Sequence, residues 1–144
     1  MTGQVERLRM GATARREGAT FRHSVQVRDH QVTVDEPLHA GGHDGGPDPQ
    51  ELLAVSLASC TAITMEMYAV RKGWEIGHVE VAVEYSPAER GCPTKFELLI
   101  RLPDDLPDEQ VERLRVIAAK CPVHRVLDGE VMFQERVERV HLVA

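Results

Sequence analysis

The chain has 144 residues, a formal net charge of -6 and only 4% aromatic residues. That length builds one domain, residues 1–144, with a single sizeable core, filled by Ala, Val, Leu, Ile and Met for want of aromatics. Acidic residues are spread along the chain, with no basic stripe and no aromatic–basic interleaving, which argues against nucleic-acid binding.

Met1 to Arg9 is polar and charged and does not read as a signal peptide. Three cysteines, an odd number, fit a cytoplasmic protein with reduced or buried thiols better than a disulfide framework. Residues 5 to 35 read as two or three strands. Arg16-Glu17-Gly18 supplies one turn and Asp29-His30 a second, while Phe21, Val25, Val27, Val32 and Val34 supply strand-forming side chains. Asp35-Glu36-Pro37 ends this region.

Residues 40 to 49, AGGHDGGPDP, carry four glycines and two prolines and are neither helix nor central strand. A long helix follows, with Asp48 as N-cap, Pro49 as its first residue, Glu51 in its first turn and its end near Gly73. Leu52 to Val70 is nineteen residues with one charge, Glu66. Ser56, Ser59, Thr61, Thr64 and Glu66 lie inside it, so a helix buried in a protein explains it better than a membrane span. Glu66 there needs a partner such as Arg71. Val79, Val81, Val83 and Tyr85 alternate with polar residues, as do Phe96, Leu98, Ile100 and Leu102, with 86–93 as the connecting loop. Pro107 opens another helix, whose stripe is Val111, Leu114, Ala118 and Cys121. Pro122 interrupts it, a short piece from Val123 to Leu127 follows, and Asp128-Gly129 turns into a last strand over 130–143.

The predicted order β-β-β-α-β-β-α-α-β is α+β with one six-stranded antiparallel sheet around a long central helix. One sheet covers only one side of a helix that is apolar all round. A second copy of the chain is the expected cover for the other side, hence a homodimer.

Taken alone, Cys60 in the middle of an apolar helix is core filler, since burial disfavours the thiolate. Cys121 has two readings. Before Pro122 it is the N-cap of a helix, where backbone N–H groups favour an anion; on the stripe from Leu114 and Ala118 it is simply buried. Cys92, in the polar loop Glu89-Arg90-Gly91-Cys92-Pro93, reads as exposed and incidental. Cys121-x-x-His124 has the form of half a metal site; no second half with standard spacing accompanies it, and only convergence of His39, His43 and Cys60 in space would complete it.

The segments GPDPQELLAVSLASCTAITMEMYAVRKGW and AKCPVHRVL, with DEP and GG before them, resemble the OsmC/Ohr family in the same order, over residues 20 to 138. CTAITMEMYAVRKGW looks most like its OsmC-like, YhfA-type branch. The resemblance implies an OsmC-like fold and an intertwined homodimer with sites at the subunit interface. It implies a peroxidase for organic hydroperoxides, with Cys60 matching the peroxidatic cysteine and Cys121 the resolving one. No cofactor is implied beyond an external dithiol or dihydrolipoyl reductant, and no membrane partner. Family members stabilise the thiolate with an Arg held by a Glu. The Glu position, ten residues before the cysteine, is Gln50 here, with Glu51 one residue on. Among Arg15, Arg16, Arg22 and Arg28, Arg22 is the expected cation; His39 and His43 stand where the OsmC branch proper places its Arg. The alternatives are an OsmC-like binding protein without peroxidase activity and a thiolate metal-binding protein.

Overall fold

The computed structural model describes residues 10–142, so the readings placed on residues 1–9 and 143 lie outside it. The described residues divide into two compact units, residues 10–49 with 142, and residues 50–141.

The first unit is a three-stranded antiparallel meander of β1 (Thr13–Arg16), β2 (His23–Val27) and β3 (His30–Val34). Val25 faces Val32 and His23 faces Val34 across the β2–β3 ladder, which sets the valines on one face, as their alternation predicts. The β2–β3 turn falls on Arg28-Asp29, one residue earlier than expected, because Val27 pairs directly with His30. Phe21 is not in a strand. It lies in the turn before β2 with φ 78°, a left-handed conformation that is costly for a bulky side chain. After β3 the chain makes one 3₁₀ turn over Leu38–Ala40 and then runs irregularly to Pro49. Glycine is required here by close approach: a Cβ on Gly42 would overlap the Glu36 carbonyl, and one on Gly46 the Thr33 carbonyl.

The second unit is built on α1 (Pro49–Lys72), 24 residues and about 36 Å long. It starts at Pro49 and stops before Gly73, whose φ of 69° closes the helix. β4 (Glu80–Ser86) and β5 (Lys95–Arg101) form a separate two-stranded antiparallel sheet with Tyr85 stacked on Phe96. α2 (Asp108–Ala118) and α3 (Pro122–Leu127) follow. The core of this unit is Met65, Tyr68 and Ala69 of α1 packed with Ile76, Leu114 and Ala118, bordered by Trp74, Val81 and Ile100. Arg113 Nε donates to the Tyr68 hydroxyl at 2.9 Å, so the phenol at the core edge is satisfied.

Two expectations are corrected. The single six-stranded sheet is instead a three-stranded and a two-stranded sheet. The last strand is absent: described residues 130–142 carry no strand. Their alternation breaks at Val131-Met132-Phe133, three exposed apolar residues in a row, and a strand forms only where a neighbouring edge supplies its hydrogen bonds. Glu66 raises no burial problem, because it lies on the exposed side of α1.

Candidate active site

Leu57, Thr61, Met65 and Tyr68 recur every three to four residues along α1 and are its buried stripe. Cys60 lies beside that stripe and is half-buried. α2 ends at Ala118, two residues step over, and Cys121 becomes the N-cap of α3 with Pro122 at the first helical position. The fixed φ of proline starts the helix and leaves Cys121 extended, at φ -64° and ψ 146°. Both sequence readings of Cys121 therefore hold at once, since it is an N-cap and is also fully buried.

The Cys121 sulfur is held on two sides. It accepts the His124 backbone N–H at 3.3 Å, and the Thr61 Oγ1 lies 3.8 Å away. Thr61 follows Cys60 directly, so α3 meets α1 at the level of the second thiol. All three cysteines are free thiols. A cavity of about 280 Å³ opens beside α3, lined by Leu57, Phe96, Leu98 and Leu127 with Thr94, His124 and Asp128 at its polar positions.

Gln50 and Glu51 are exposed in the first turn of α1. They precede Cys60 by ten and nine residues, about 15 and 13.5 Å along the axis. Neither reaches the Cys60 sulfur within its own helix. Cys92 is exposed, in a tight turn closed by reciprocal backbone bonds with Glu89 of 2.8 and 2.9 Å.

In the first unit, Arg22 closes the turn after β1: its carbonyl accepts from Glu17 N–H and its N–H donates to the Ala19 carbonyl. It follows the strained Phe21, and its guanidinium passes close to Gly45. Sequence reasoning missed the organising residue of this region, Asp35. Its carboxylate is 1% exposed and accepts backbone N–H groups from Glu36 at 2.8 Å, Gly45 at 3.0 Å and His43 at 3.3 Å. The Gly45 bond foremost holds this carboxyl below the usual carboxylate range, against the opposing effect of burial; the Glu36 and His43 bonds and the His43 charge add to it. The available signal was a short acidic residue followed by a glycine-rich run of free backbone donors. Sequence reasoning noted Thr61 only as one of the polar residues inside the long helix, and not as a thiol partner. Among the described residues no three His, Cys, Asp or Glu side chains come together as a metal site.

The family model described as OsmC-like protein matches residues 42–136. An uncharacterized protein of Acinetobacter baylyi is 30% identical over 114 residues, 77% of this chain and 78% of its own. Among solved structures, an OsmC-like protein from Mycoplasma pneumoniae superposes with a TM-score of 0.70 at 20% identity, covering 84% of this chain and 88% of its own. The organic hydroperoxide resistance protein OhrB of Bacillus subtilis gives a TM-score of 0.58 at 23% identity, with 84% and 91% covered. At these identities the two structures speak for the fold.

Proposed function

The chain belongs to the OsmC-like protein family, and from that premise we propose that it reduces organic hydroperoxides with Cys60 and Cys121, as one OsmC-like domain working in the cytoplasm. The observation that carries this is the fully buried Cys121 sulfur seated against the residue next to Cys60. The name of the Bacillus relative, an organic hydroperoxide resistance protein, supports the substrate class.

The chemistry takes two steps. The Cys60 thiolate attacks the distal peroxide oxygen, the O–O bond breaks, and the alkoxide leaves as an alcohol by taking up the proton that the Cys60 thiol gave up, as Cys60 becomes a sulfenic acid. The Cys121 sulfur then attacks the Cys60 sulfur; the S–S bond forms, and the hydroxyl departs as water with the Cys121 proton. An external dithiol restores both thiols by exchange. On the family resemblance, Arg22 is the cation proposed for the thiolate chemistry, with Gln50 and Glu51 as the helix-end residues proposed beside it.

The test is a titration with cumene hydroperoxide. The wild-type protein loses two thiols per chain to a Cys60–Cys121 disulfide, and Cys60→Ser loses none. Retention of all thiols in the wild type under a slight excess of peroxide overturns the peroxidase reading. A second reading, a binding protein that does not turn over peroxide, draws on the uncharged Gln50 at the expected carboxylate position, and the same titration separates the two.

A further inference from the structure

Thr61 is fully buried, and its hydroxyl has one proton to give. That proton goes to the Leu57 carbonyl, 2.7 Å away on the same helix. The contact with Cys121 at 3.8 Å is within reach of a sulfur hydrogen bond, and with the Thr61 proton already committed the donor must be the thiol. The backbone N–H of His124 takes one sulfur lone pair. The S–H and one lone pair of Cys121 are thus both tied, and one lone pair is left.

From this we infer that Thr61 is a positioning residue for the resolving thiol. It accepts the Cys121 S–H and so fixes the rotation of that sulfur about its Cβ, which keeps the remaining lone pair available for attack. The role in turnover rests on the peroxidase reading; the hydrogen bond does not. In the resolving step Cys121 gives its lone pair to the Cys60 sulfur, the S–O bond breaks, and the S–H proton, released from Thr61, leaves in the water formed. Without the Thr61 oxygen the thiol turns freely and the sulfenic acid waits longer for its partner. More of it is then captured by a second peroxide as sulfinic acid.

Two measurements test this separately. In a Cys60→Ser, Cys92→Ser background Cys121 is the only thiol. Its infrared S–H stretch should move to higher wavenumber on Thr61→Val and return on Thr61→Ser. A band at the same position in the threonine and valine proteins overturns the hydrogen bond. In the Cys92→Ser protein given cumene hydroperoxide, Thr61→Val should slow disulfide formation about tenfold, the upper range for one hydrogen bond. Trapping of Cys60 sulfenic acid by dimedone should rise in proportion, and Thr61→Ser should restore the wild-type split between disulfide and trapped acid. Disulfide formation at the wild-type rate in the valine protein overturns the positioning role. Absence of the disulfide in the parent protein instead overturns the peroxidase reading and the turnover role with it, while the infrared comparison still decides the hydrogen bond. Thr61→Ala supplies the same comparisons if valine does not fold.

Discussion

Accessibility separates the three thiols before any chemistry does. Cys92 stands exposed in a turn, Cys60 is half-buried and Cys121 is sealed. Limited iodoacetamide followed by peptide mass spectrometry should therefore label Cys92 first, Cys60 more slowly and Cys121 only after unfolding. Asp35 carries a different prediction. Its carboxyl is held below the ordinary value in the folded chain, so its contribution to stability is complete above the unfolded value, about 3.9. It is lost as pH falls through the lower folded value. Melting curves taken from pH 7 downward should show wild-type stability falling across this acid window, with a shallower fall for Asp35→Asn. The two residues were unequally legible. Cys121 as an N-cap could be read from the neighbouring proline alone, because proline fixes the first helical φ. Asp35 could not, since two of its three partners come from residues eight and ten positions away, and loop closure leaves no periodic trace.

Elements whose ends carry local chemistry were readable from sequence. Pro49 and Gly73 bound α1, and the alternation in 80–86 and 95–101 gave both strands of the β4–β5 pair. The segment after Gly129 was not readable, because periodicity describes one strand and says nothing about whether an edge is present to receive it. Packing between elements makes its own prediction. Leu114 of α2 is fully buried against Met65 and Tyr68 of α1. Leu114→Ala should cost about 3 kcal/mol of stability, the usual range for a leucine cavity. The measurement is the midpoint of urea unfolding, with an unchanged slope if the unfolded state is unaffected.

At the scale of the whole molecule, apolar surface remains uncovered. Val55, Ile63, Met67 and Val70 lie exposed on α1, as do Met132, Phe133, Val137 and Leu142 in the segment after α3. The exposed residues of α1 are the ones that the homodimer expected from the sequence would cover with its second copy. Sedimentation velocity should give twice the chain mass for the wild type, and Met67→Glu should shift it toward the single-chain value. Helix composition indicated that α1 is apolar on all sides, and exposed apolar residues are found on it.

The glycine-rich run between β3 and α1 sets a limit on how this chain can vary. Gly42 and Gly46 touch backbone carbonyls that no side chain can move aside. Any variant there must re-route the main chain that also delivers His43 and Gly45 to Asp35. In a library of random variants these two positions would tolerate little besides glycine, though neither carries a side chain that could do chemistry. Intolerance at Gly42 and Gly46 thus measures the clearance between two stretches of backbone, and any functional map of this protein requires comparing loss of function with loss of folded chain, position by position.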